Sequence, residues 1–185
     1  MGERSELVRI VEESEHQLGD GLPPAQIEAI HNATLQDDIL RSIGYANTVY
    51  LVIGNYAETM KPRLRTARDV LDCRSPTHVA FLLDEVDPDV TAWQNFYVKF
   101  KVFAARADWV VGIFEDNDGG HELEAGEVPR QKLYAFKREY SDPDIEHRAY
   151  DAMIRSLFEV LENDGQLIRW DQPAKLASLV EEHVP

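Results

Sequence analysis

Cysteine is nearly absent from this chain. Among 185 residues only Cys73 carries a thiol, so no internal disulfide and no cysteine-based zinc site can form. It follows Val70-Leu71-Asp72, a setting that reads as a helix end rather than as a nucleophile. Lysine is scarce as well, confined to Lys61, Lys99, Lys101, Lys132, Lys137 and Lys175. Against 19 Lys and Arg stand 34 Asp and Glu, a formal net charge of −15. Neutralising phosphates needs clustered cations, so the composition argues against broad binding to nucleic acid or an anionic membrane. No apolar run approaches the ~20 residues of a membrane span. The opening Met1-Gly2-Glu3-Arg4-Ser5-Glu6 lacks the basic and apolar regions of a signal peptide. The expectation is a soluble, cytoplasmic protein. An acidic, lysine-poor chain with an ordinary 44% hydrophobic content further points to a halophile, whose salt screens the self-repulsion. The chain also lacks Gly-x-Gly-x-x-Gly, Gly-x-x-x-x-Gly-Lys-Ser/Thr and Gly-x-Ser-x-Gly, which removes local support for dinucleotide, P-loop and serine-hydrolase chemistry.

What is present is an alternation of helix and strand patterns. Leu7, Ile10, Val11 and Leu18 have helical spacing over residues 5–18, and a second helical pattern runs from Ile27 to Ile43, ended by Gly44. Together they mark residues 1–47 as an N-terminal helical extension, which could pack on the sheet or form a dimer contact. Residues 48–185 then read as one α/β domain. Strands are expected at Val49–Ile53, His78–Leu83, Trp109–Phe114, Lys132–Phe136 and Gln166–Trp170. Between and after them, helices are expected at 62–73, 91–107, 121–127, 144–163 and 173–183. Such alternation predicts a three-layer flavodoxin- or Rossmann-like sandwich around a five-stranded parallel sheet. Five strands favour the order 2-1-3-4-5, which puts the switch point between the first and third.

The chemistry is concentrated after the third strand, in Asp116-Asn117-Asp118-Gly119-Gly120-His121-Glu122-Leu123-Glu124-Ala125-Gly126. Ligands of open α/β sheets bind beyond the carboxyl ends of the strands. There Gly119 and Gly120 would let a ligand approach the main chain closely. A Glu beside Asp116 or Asp118 would have a raised pKa and could serve as nucleophile, acid or base; the same glutamates also suit a solvated helix start, where they complement the dipole. His121 and Glu124 share one helix face, a single pair with metal-ligand spacing, but no metal and no cofactor is expected; His121 reads instead as a substrate contact, to a phosphate or ribose, or as merely exposed. Across the switch point Gly54, Asn55 and Tyr56 would face this loop. Asp84 is placed to contact a ribose hydroxyl. Trp93 and Tyr97 lie nearer the crevice end of their helix and could stack on a base, whereas Phe96, Phe100 and Phe103 are expected in the core.

These residues resemble the nucleoside 2-deoxyribosyltransferase-like superfamily. Asp118-Gly119-Gly120-His121-Glu122-Leu123-Glu124-Ala125-Gly126 is similar to its Asp-x-Gly-Thr-x-x-Glu-x-Gly pattern. Tyr50-Leu51-Val52-Ile53-Gly54 is similar to its opening Tyr-Leu-Ala-Gly, and Ala107-Asp108-Trp109-Val110-Val111 to its Ala-Asp-x-Val-Val. The resemblance spans about residues 48 to 140. His121 stands in place of the usual Thr, Glu127 follows Gly126, and Asn55-Tyr56-Ala57-Glu58-Thr59 lacks the proline-containing substrate loop. What the resemblance implies is a flavodoxin-like fold, dimeric or larger, acting on the N-glycosidic bond of a nucleoside or nucleotide derivative by hydrolysis or base transfer. Glu124 matches the nucleophile, Asp118 the acidic residue before the glycine, and Gly120 and Gly126 the glycines; Asp116 is the other candidate acid. A non-catalytic nucleotide-binding or sensing module is the alternative.

Overall fold

A computed structural model describes residues 37–87, 93, 95–116 and 120–185, together with positions 25, 28, 29, 32 and 33. The expected first helix, residues 5–18, lies outside the described residues, as do Asn117, Asp118 and Gly119. Five strands form one parallel sheet: β1 (Thr48–Gly54), β2 (His78–Leu82), β3 (Trp109–Phe114), β4 (Leu133–Arg138) and β5 (Leu167–Trp170), in the order β2-β1-β3-β4-β5. The chain is an α/β Rossmann-like sandwich, and its switch point lies between β1 and β3.

The strand sequences read as unbroken apolar runs because both sheet faces are covered. Alternate residues go to opposite faces. Val49, Leu51, Ile53, Val110 and Phe114 join one core, while Tyr50, Val52, Val111 and Ile113 join the other. On the first face lie α1 (Asp38–Tyr45), α3 (Phe96–Arg106), α4 (His121–Glu127) and α6 (Ala152–Asn163); on the second lie α2 (Lys61–Asp72) and α7 (Leu176–His183). The short α5 (Pro143–Ala149) precedes α6. Leu40 and Ile43 of α1 are fully buried in the first core, so this part of the N-terminal extension packs on the sheet. Its start is set by Asp37, whose Oδ1 accepts from the backbone N–H groups of Ile39 (2.8 Å) and Leu40 (3.1 Å), satisfying donors that a helix start leaves open.

Besides the break that the extended Asp37 puts in the Ile27–Ile43 pattern and the 3-10 turn Pro173–Lys175 ahead of α7, two helices differ from the sequence pattern because a side chain competes for the backbone. The expected helix 91–107 begins only at Phe96, where Asn95 Oδ1 accepts from Val98 N at 3.1 Å. The expected helix 144–163 is broken at Tyr150, whose hydroxyl lies 2.9 Å from both Phe114 O and Arg138 O and ties the ends of β3 and β4 together. Asp151 then caps a fresh helix by accepting from Met153 N and Ile154 N. At the opposite, amino-terminal edge of the sheet, Asp108 Oδ2 accepts from Val49 N at 2.9 Å. The Ala107-Asp108 pair therefore serves strand entry, far from the crevice. Among the described residues no helix is long and apolar enough to cross a membrane.

Candidate functional site

The floor of the crevice is the last turn of chain on β1 and β3. Gly54 pairs with Ile113, and a Cβ at position 54 would lie 2.8 Å from the Ile113 carbonyl oxygen and 2.6 Å from Leu64 Cδ2. Only glycine fits there. The close approach brings Asn55 within reach of Asp116: Asn55 Nδ2 donates to Asp116 Oδ1 (3.1 Å) and Oδ2 (3.3 Å). Asn55 Oδ1 accepts in turn from Ala57 N at 2.8 Å. Tyr56 turns inward, its hydroxyl accepting from Leu83 N at 3.2 Å. Burial, with the nearby Glu124 carboxylate adding to it, pushes the Tyr56 phenol well above its ordinary range, so it stays neutral.

One wall is α4. His121 is 2% exposed; its Nε2 lies 3.0 Å from Asp116 O, and its ring packs on Phe114 with centroids 5.6 Å apart. The other ring nitrogen, Nδ1, is buried without a hydrogen-bond partner. Beyond it, Glu122 Oε1 and Glu124 Oε2 are each sealed from solvent without a hydrogen-bond partner. Burial, with Asp151 and Asp116 adding repulsion, raises the Glu122 carboxyl. Glu124 instead lines a cavity of about 140 Å³ together with Phe96, Tyr97, Phe100, Gly120 and Leu123. Its Oε2 is sealed from solvent and meets no hydrogen-bond partner, and burial pushes its pKa up to about 7. Desolvation disfavours the charged carboxylate, and among the described residues no cation pairs with it to offset that. A Cβ at Gly120 or at Gly126 would meet only open space, so both positions have room for a side chain. Lys101 Nζ clasps Glu127 at 2.8 Å and holds α4 against α3 behind the cavity.

The aromatics exchange places relative to the sequence pattern. Trp93, expected at the crevice, is 2% exposed and packs on Phe103 with ring centroids 5.1 Å apart. Phe96, expected in the core, is 51% exposed and lines the cavity with Tyr97 and Phe100. The late helix start explains this: Trp93 precedes the Asn95 cap and folds back onto the core, while Phe96 opens the helix at the rim. Asp84 sits on the turn after β2; its Oδ2 is ion-paired to Lys61, and its Oδ1 is buried without a partner. Lys99, buried nearby, donates to Val86 O, and desolvation lowers its pKa.

The other wall holds a cluster that the sequence pattern did not disclose. Glu115, the residue after β3, is 2% exposed. Its Oε1 pairs with Arg63 Nε from α2 and its Oε2 with Arg138 Nη1 from β4 at 2.8 Å. The Arg138 guanidinium lies over the rings of Tyr140 (4.9 Å) and Trp170 (5.5 Å), and the Tyr140 hydroxyl donates to Glu115 O. The partners lie 52 and 23 residues away in sequence, so no local pattern could disclose them. The available signal was an acidic residue at the carboxyl end of an apolar strand.

Of the expected site residues, the structure brings together Gly54, Asn55, Tyr56, Asp116, Gly120, His121 and Glu124. Asp84 lies at the β2 end beside Tyr56, Trp93 lies in the core, Gly126 is exposed on α4, and Asp118 and Gly119 lie outside the described residues. Among the described residues no group of three His, Cys, Asp or Glu side chains could hold a metal ion. Chemically, the arrangement offers an aromatic slot with one desolvated carboxyl on its wall, beside a crevice floor that carries the hydrogen-bonding groups of Asn55 and Asp116.

No curated protein and no solved structure matches the chain. Residues 7–183 match a family of unknown function, DUF8170, a span that takes in α1, the whole sheet and both walls of the crevice. The chain belongs to that family.

Proposed function

We propose that the protein acts on the N-glycosidic bond of a nucleoside or nucleotide derivative, by hydrolysis or base transfer, with Glu124 as the nucleophile. The observation that carries this reading is the Glu124 carboxyl standing, without a partner on Oε2, in the wall of an aromatic-lined cavity. About 140 Å³ is the size of cavity that holds one aromatic ring, so it suits a heterocyclic base, with the sugar lying toward the mouth. A carboxylate stripped of solvent is destabilised in the free enzyme. That destabilisation is relieved as positive charge develops at the anomeric carbon, which favours the transition state over the ground state.

In the proposed first step a Glu124 oxygen forms a bond to the anomeric carbon while the C–N bond breaks. Its electron pair leaves with the base, which takes a proton from Asp118 or Asp116. Water or a second base then attacks the same carbon and displaces Glu124, completing hydrolysis or transfer. The nucleophile must be ionised, and its pKa is about 7, so kcat/KM is expected to rise with pH through about 7. The resemblance to the deoxyribosyltransferase-like superfamily supports the same roles and a dimeric or larger assembly. The acidic composition fits assays in high salt.

The test is base release from a panel of nucleosides and nucleotides at high salt. Glu124→Ala should abolish release and leave a measurable thermal shift; an established turnover that survives Glu124→Ala overturns the assignment. One observation favours a second reading, a nucleotide-binding or sensing module without catalysis. Both Asp116 oxygens are engaged by Asn55, which holds a candidate acid away from a leaving base. That reading expects ligand stabilisation, ~2.7 kcal/mol at a hundredfold excess over Kd, with no base released.

A further inference from the structure

The Glu115 cluster gives the crevice a second, chemically different wall. Arg63 uses its Nε on Glu115, and Arg138 uses its Nη1. Neither guanidinium makes any other hydrogen bond or ion pair with the described residues, so each keeps Nη donors to spare. Both side chains retain some exposure, 20% and 28%, whereas the carboxylate that anchors them is sealed. Arg138 is also fixed from its faces by Tyr140 and Trp170. Two guanidiniums held at one point, at the carboxyl end of β3 where α/β sheets receive ligands, form a preorganised fork.

The geometry points to Arg63 and Arg138 as the receptor for a phosphate monoester, which makes the ligand of this crevice a nucleoside monophosphate rather than a free nucleoside. The inference rests on the reading of the Glu124 cavity as a base site: a ligand lying over Asn55 and Asp116 would place its base against α3 and α4 and its phosphate against α2 and β4. Guanidinium suits this task because its coplanar N–H groups match two phosphate oxygens at once. Glu115 cancels one of the two positive charges, and Asp116 on the next residue offsets more. The attraction is therefore short-ranged and directional, a matter of aligned donors rather than of a positive field. Lysine, a point charge, would not replace it.

The experiment is calorimetric titration of the full chain at high salt with three probes: inorganic phosphate, a panel of nucleosides, and their 5′-monophosphates. Monophosphates should bind at least tenfold more tightly than the matching nucleosides, and inorganic phosphate should compete with them. Arg63→Lys and Arg138→Lys keep a cation beside Glu115. Each should cut that preference at least threefold while leaving nucleoside affinity unchanged. Equal affinity for nucleoside and monophosphate in the unmodified protein overturns the receptor without any variant being needed, as does a preference that survives both substitutions. The two readings fail separately. Arginine-dependent phosphate binding with no response to any base keeps the anion receptor and removes the base site. Nucleoside binding that phosphate does not improve keeps the base site and removes the receptor. Silence toward all three probes overturns the inference.

Discussion

Glu115 and Glu124 are nine positions apart, one at the end of β3 and the other on α4, and they face opposite surroundings. Glu115 is almost wholly buried and has an arginine on each oxygen. Glu124 is partly buried, has an oxygen with no partner, and titrates near 7 for want of compensation. A buried charge is costly unless it is paired and hydrogen-bonded. The first glutamate meets that condition and stiffens the end of β3. The second does not, and an uncompensated group at a cavity wall is where chemistry or ligand binding is expected. Burial alone does not mark a functional carboxylate. Burial without partners makes a carboxylate a candidate, and Glu122 Oε1 shares that mark with Glu124 Oε2.

The largest test of this contrast is Glu115→Ala. It leaves two guanidiniums facing each other across a small void and should cost about 3 kcal/mol of stability in urea unfolding. A loss below 1 kcal/mol would mean that the pairing carries little weight. Next comes Glu124→Gln, with the opposite sign. A carboxyl whose pKa rises from 4.5 unfolded to about 7 folded favours the folded state below 4.5 and loses that contribution as pH climbs to 7. The glutamine variant should therefore be more stable than the parent by about 2 kcal/mol at pH 8 and equal to it at pH 4. Equal stability at both pH values would show that Glu124 is not held away from compensation. Tyr150→Phe removes the hydroxyl shared by Phe114 O and Arg138 O and should cost about 1 kcal/mol; thermal unfolding checks it. The smallest effect is expected at the exposed rim. Phe96→Ala should change stability by no more than about 0.5 kcal/mol while weakening any ligand that fills the cavity, a split that paired melting and titration would reveal.

The sheet was legible because its information is local. Continuous apolar runs such as Val49–Ile53 and Trp109–Phe114, set between helical periods, specify parallel strands and their order. Glu124 and Gly120 were legible for the same reason, lying in one short stretch after one strand. The arginine-held wall was not. Arg63, Glu115 and Arg138 meet only when α2, β3 and β4 are already in place, and long-range ion pairs leave no periodic trace. The exchange of Trp93 and Phe96 shows the intermediate case. Helical spacing grouped the aromatics on one helix, but which of them face the core depends on where the helix starts, and Asn95 sets that with a single hydrogen bond.

Gly54 limits which substitutions the crevice can accept. A Cβ there would collide with both Leu64 and the Ile113 carbonyl, so the floor at this point admits no side chain. Room for other side chains lies in the walls: in the rings of α3, in the exposed Leu123 of α4, and in the side chains that reach Glu115. The crevice is a vise with a fixed bed and exchangeable jaws.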